Sequence, residues 1–119
     1  MNLSAFEGFE LPGKFLLQKI VVSPAELIDP LGRPALAKSV IQGRNITITL
    51  VVQSEEEQSV SIYHEMLEAL TVAFDEPPNS VMLMNEADFE QAGWEAHRKF
   101  GFASPDTVLP FLKGYGFYE

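Results

Sequence analysis

The chain contains no cysteine. Disulfide frameworks, thiolate metal sites and cysteine nucleophiles are therefore excluded, and any metal has to sit on His, Asp or Glu. Histidine is scarce too, with only His64 and His97 in 119 residues. Positive charge is the third shortage: eight Lys and Arg stand against seventeen Asp and Glu, for a net charge of −9. Such a field repels a phosphate backbone and an anionic membrane surface, which argues against nucleic acid and membrane as partners. It suits a divalent cation, or a cationic protein or peptide. No apolar run approaches transmembrane length. Met1 to Gly13 carries Glu7 and Glu10 without a basic opening, unlike a secretory signal, so the expectation is a cytoplasmic protein. The complete phosphate-loop, dinucleotide and nucleophile-elbow motifs are missing as well.

What is present is apolar mass. Hydrophobic residues make up 46% of the chain, including nine Phe, three Tyr and one Trp, enough for one self-folding domain spanning residues 1–119. The first thirteen residues read as an irregular lead-in. Lys14 to Ser23 is a strand, interrupted by polar Gln18 and Lys19. Ser23-Pro24 has the form of a helix cap followed by proline, predicting one short turn through Leu27. Asp29 to Pro34 is dense in turn formers. Ala35 to Ile41 is ambiguous and allows a second strand. Asn45 to Gln53 is the clearest strand: Ile46, Ile48 and Leu50 alternate with Thr47 and Thr49, one face covered and one more open, as near a sheet edge.

Helices follow. Ser54 and the acidic run Glu55 to Glu57 make a good helix start. Val60, Tyr63, Leu67, Leu70 and Phe74, widened by Met66 and Ala73, form a stripe at helical spacing. His64, Glu68, Thr71 and Asp75 form a polar stripe beside it, with Ser61 and Glu65 further round. After a short apolar linker, Val81 to Met84, Asn85 caps a second helix that ends at Gly101. Ser104-Pro105 starts a short last helix, and the tail Gly114 to Glu119 is expected to pack. In the second helix His97 shares a face with Glu90, seven residues away, and could join a site, but reads first as an ordinary exposed residue; Trp94, Phe89 and Phe100 stand as core, and Met82 and Met84 of the linker as packing. Strands first and helices second predict an α+β domain: a small, mainly antiparallel sheet in the N-terminal half, packed by two main helices and a short C-terminal one.

The chemistry centres on Tyr63-His-Glu-Met-Leu-Glu68. In H-E-x-x-H, histidines at i and i+4 share a helix face and take two positions on a zinc ion, while the intervening Glu acts as general base. Here the fourth position is Glu68, and carboxylates also bind divalent metals. Zinc-type sites need a third protein ligand, and Glu86 opens the next helix. Polar residues at this spacing are equally what a solvated helix face looks like.

The strand Arg44 to Val52, the His64-Glu65 helix and Asn85-Glu-Ala-Asp88 together resemble the minimal gluzincins, small zincin-fold peptidase domains of the ImmA/IrrE type. The resemblance spans roughly residues 44–100. It implies a zincin-like fold, His64 as first metal ligand, Glu65 as catalytic base and Glu86 as third ligand, with Glu68 standing where the family carries histidine. One His with two carboxylates is a harder donor set than the family's, so Mn²⁺ or Fe²⁺ competes with Zn²⁺ as the expected ion. Two functions follow as expectations: a metal-dependent, peptidase-like hydrolase, or a non-catalytic acidic domain that binds a protein or peptide partner.

Overall fold

Two polar residues in the middle of a core strand pose a geometric problem, and the sheet is built around its solution. The computed structural model describes residues 1–118, and Glu119 lies outside them. The elements run β1 (Phe9–Leu11), β2 (Phe15–Ser23), β3 (Leu27–Ile28), β4 (Pro34–Ala35), β5 (Ala37–Gln42), β6 (Asn45–Val51), α1 (Glu55–Ala73), α2 (Asn79–Met82), α3 (Glu86–Phe100) and α4 (Pro105–Gly114). Strict alternation from Leu17 would turn Ile20 away from the core. Leu17 pairs with Ile46 but Lys19 with Thr47, so Gln18 is an extra residue, a β-bulge. The bulge restores the inward face, and Phe15, Leu17 and Ile20 are all buried.

The fold is α+β, as expected. The main sheet has the order β1-β2-β6-β5, and β3 and β4 form a separate two-stranded piece. Two of the three main pairings are antiparallel, but the central one, β2 with β6, is parallel. A parallel partner needs a long crossover, here residues 24–44, which hold the hairpin and β5. The alternating strand β6 lies one in from the edge, with Ile46, Ile48 and Leu50 fully buried and β5 outside it.

Three local expectations change. The lead-in is ordered, with a 3-10 turn at Leu3–Phe6 that buries Phe6, then β1. Ser23-Pro24 starts no helix: the Ser23 hydroxyl accepts the Ala25 N–H at 3.1 Å, and Leu27–Ile28 pairs with Pro34–Ala35. Asp29 ties the hairpin turn by accepting the N–H groups of Leu31 and Arg33 at 2.9 and 2.8 Å. The linker contains the one-turn helix α2, whose Val81 enters the core.

α1 is the axis of the molecule. A capping box closes its start, with Ser54 accepting from the Glu57 N–H and the Glu57 carboxylate returning to the Ser54 backbone. Its buried surface is wider than the apolar stripe. Val60, Tyr63, Met66, Leu67 and Leu70 are in the core as expected, and Ser59, Ser61 and Glu65 are buried with them. The tail packs: Phe117 is fully buried against Phe74 with ring centres 5.0 Å apart, leaving Tyr118 at 64% exposure. The expected packing of Met82 does not occur, since it is 58% exposed, whereas Met84 rests on the core.

α3 crosses α1 at Gly93. A Cβ there would lie 2.7 Å from the Val60 carbonyl oxygen and 3.1 Å from Val60 Cγ1, so only glycine permits this approach. Phe89, Ala92 and Ala96 complete the buried face of α3. Glycine inside a helix costs about 1 kcal/mol relative to alanine, and close packing outweighs that cost. Gly93→Ala is expected to destabilise the protein by about 1–3 kcal/mol despite its better helix propensity. Urea unfolding measures this, and a more stable variant would contradict the crossing described.

Candidate metal centre

His64 leaves α1 one turn after Val60, beside the Gly93 crossing, and the crossing sets carboxylates from both helices around its ring. Its Nε2 lies 3.1 Å from Glu86 Oε1, 3.8 Å from Glu65 Oε2 and 3.9 Å from Glu68 Oε2. Its Nδ1 lies 3.0 Å from Glu90 Oε2. Phe89 stacks on the ring, with 11° between planes. All four residues singled out in the sequence therefore meet: His64, Glu65 and Glu68 from α1 and Glu86 from the first turn of α3. One ligand atom from each of His64, Glu65 and Glu68 lies within 4.8 Å of the others, and this group can hold a metal ion. Two ligand atoms bound to one ion at about 2.1 Å are roughly 3–3.5 Å apart, so the donor types suit a divalent cation, and the Glu65 and Glu68 oxygens, at 3.8 and 3.9 Å from Nε2, would have to draw in to bind one. Glu86 stands on the open side, its side chain well exposed.

Glu90 was not among the expected site residues. It accepts from the Trp94 indole N–H at 3.1 Å and faces His64 Nδ1 with its other oxygen. A carboxylate on the far nitrogen fixes the ring's orientation and leaves Nε2 facing the other three carboxylates. The signal was available: Glu86 and Glu90 are four residues apart and share a face of α3. Trp94 is thus a half-buried member of this chain of contacts rather than core. Ser39 of β5, which lines the same cleft as Glu65, had no signal, because only the sheet brings it there. His97 stays apart from the site and is not exposed: its Nδ1 lies 2.9 Å from Ser59 Oγ, which also accepts the Ala103 N–H.

The cluster lines a cleft of about 850 Å³, bounded opposite by the β3–β4 hairpin and along one side by Ala37 to Ser39 of β5. Burial alone would lower the His64 pKa, but the carboxylates of Glu68, Glu65 and Glu90 outweigh it and raise it to about 9. Burial raises Glu65 to about 7, with Glu68 and Glu86 adding to the shift while His64 and Ser39 oppose it. Glu86 is raised by burial and by its hydrogen bond and charge repulsion with Glu68. Glu68 is held low: burial opposes this, and its contacts with His64 and Glu86 prevail. Without a cation, His64 is an imidazolium shared among four carboxylates.

Among the described residues no helix is long and apolar enough to cross a membrane. Comparison with protein-family models, curated proteins and solved structures finds no match to this chain.

Two predictions follow from these shifts and contacts. His64 and Glu65 both titrate above their ordinary values of 6.5 and 4.5, so the native state holds protons that the unfolded chain releases. Their contribution to stability is complete below those values, and it is lost between pH 4.5 and 7 for Glu65 and between 6.5 and 9 for His64. Urea unfolding of metal-free protein from pH 5 to 10 should show stability falling with pH, and Glu65→Gln should flatten the lower half of the curve. Glu90→Gln is expected to weaken divalent-metal affinity by about 10–100-fold without unfolding the protein. Calorimetric titration reads that effect, and unchanged affinity would remove Glu90 from the site.

Proposed function

We propose that this chain is a zincin-like, divalent-metal-dependent hydrolase domain of peptidase type, with His64, Glu68 and Glu86 as metal ligands and Glu65 as general base. The observation that carries the reading is the meeting of three carboxylates at His64 Nε2 while Glu90 holds Nδ1. The order of strand β6, motif helix α1 and Glu86 at the start of α3 agrees with the minimal-gluzincin resemblance.

An ion bound there supplies Lewis acidity toward a carbonyl oxygen. The chain's own residues do the rest. His64 gives up its Nε2 proton to become a ligand, and Glu90 keeps the ring in place by accepting from Nδ1–H. Glu65 sits in a buried setting that leaves its carboxyl near neutrality, where a group accepts and returns a proton most effectively. With one nitrogen and otherwise carboxylate oxygens, the donor set favours Mn²⁺ or Fe²⁺ alongside Zn²⁺.

A second reading is a non-catalytic domain that binds a protein or peptide partner. Its support is that His64 already pairs directly with Glu86 and Glu90 at 3.1 and 3.0 Å, a set satisfied without an ion.

Metal analysis of protein purified without chelator separates the two. Stoichiometric metal is expected, lost in His64→Ala and retained in Glu65→Gln, with the latter reducing peptide hydrolysis by about 10²–10⁴-fold. Because binding displaces protons, affinity should rise with pH through the His64 titration near 9. Metal-free protein whose melting temperature ignores both EDTA and added Mn²⁺ or Zn²⁺ would overturn the hydrolase reading in favour of the second.

A further inference from the structure

Charge is divided unevenly along the chain. Between Arg44 and Arg98 there is no Lys or Arg, and eleven of the seventeen acidic residues fall in that stretch. The stretch supplies β6, α1, α2 and most of α3. Among the described residues the one ion pair made by a Lys or Arg is Arg33 with Asp29, so no described basic side chain neutralises these helices. Large apolar side chains stand exposed on the same acidic segment. Val72, in the last turn of α1, is 71% exposed, and Met82 and Leu83 are 58% and 96% exposed. Val72 and Met82 border one depression, and Leu83 follows Met82 directly. Their display is held in place from beneath. Val81 is buried in the core, the Ser80 hydroxyl donates to the Tyr115 carbonyl at 2.6 Å, and the Met84 N–H donates to the Val81 carbonyl at 3.2 Å. Acidic groups flank the patch: Asp75 and Glu76, both exposed, follow Val72, and Glu86 follows Leu83.

We infer that Val72, Met82 and Leu83 form a docking surface for a cationic, amphipathic segment of another protein, with leucine-type side chains set among lysines or arginines. The apolar patch supplies the contact, as where an amphipathic segment lays its apolar side on a partner, and the acidic helices select the sign. Their field favours a basic segment over a neutral or acidic one of equal apolar content, and salt weakens that preference. A second copy of this chain is a poor occupant, because both copies carry −9 and repel. An anionic membrane is repelled for the same reason. Met82 adds a flexible thioether that adapts to apolar side chains of different shape. None of the three residues belongs to the His64 cluster, so the inference goes beyond the hydrolase reading and does not rest on it.

The test is calorimetric titration of the full-length protein with an acetylated, amidated peptide made of two Lys-Leu-Ala-Lys-Leu-Ala-Lys repeats. One control peptide has serine for every leucine, and another has glutamate for every lysine. The parent peptide should bind at least about tenfold more tightly than either control, the margin that burial of one large apolar side chain implies. Its affinity should fall between about 0.05 M and about 0.5 M NaCl. Val72 and Leu83 are exposed, so combining Val72→Ser with Leu83→Ser leaves the core untouched. That double variant should lose at least about tenfold in peptide affinity while taking up Mn²⁺ as the unsubstituted protein does. Equal peptide binding by the double variant, equal binding of either control, or no binding of the parent peptide would overturn the inference. So would a dimer in sedimentation that Leu83→Ser dissociates, since a second copy would then be the occupant. Peptide docking by protein that takes up no metal would sink the hydrolase reading alone, and metal uptake without docking would sink only the docking surface.

Discussion

The close approach of α1 and α3 at Gly93 sets the rest of the molecule. With no Cβ at that position, α3 settles against the Val60 carbonyl, and the two helices lie in register along their shared face. On one side of the crossing Ser59 is joined to His97 and the Ala103 N–H. On the other side His64 meets Glu90 and Glu86. Tyr63, fully buried between them, donates to the Gly101 carbonyl and lies 2.9 Å from Thr107 Oγ1, which ties the start of α4 to the same helix. A single backbone contact thus fixes which acidic residues of α3 can reach the histidine of α1.

The resulting site runs against ordinary stability logic. Four carboxylates surround one imidazole, and Glu65 is buried among them. Packing of this kind raises the Glu65 and Glu86 pKa values, because each negative charge there is poorly solvated and repelled by its neighbours, while contacts with His64 and Glu86 hold Glu68 low. The apolar side of α1, which joins the sheet and α4 in one continuous core, holds the acidic side in place. Excess negative charge at a preformed, partly enclosed position is the condition under which a cation binds well, and perturbed titration gathers at functional sites for that reason.

Much of this was legible beforehand. The strands Phe15–Ser23 and Asn45–Val51, the three longer helices, the caps at Ser54, Asn85 and Ser104, and Gly101 as the stop of α3 all follow from local periodicity and turn chemistry. His64, Glu65 and Glu68 were identifiable from their spacing on one helix, and Glu86 only through the family resemblance. The failures share a cause. Leu27–Ile28 extends because it finds Pro34–Ala35, and β2 and β6 lie parallel because a long crossover separates them. Glu65 is buried by the sheet, and Trp94 is drawn to Glu90 by a hydrogen bond. Each depends on a partner distant in sequence or on a face that periodicity cannot rank.

The amino-acid sequence by itself determined the element types, the acidic field, the absence of thiolate chemistry and the residue types available to a metal. Those are consequences of local dihedral preference, charge count and composition, which need no neighbour from elsewhere in the chain. Only the tertiary structure decided that His64, Glu65, Glu68, Glu86 and Glu90 would share one cleft and that Glu90 would hold the ring. These depend on distances between helices and strands, and such distances are set by packing: a missing Cβ at Gly93, a bulge at Gln18 and a hairpin knotted at Asp29.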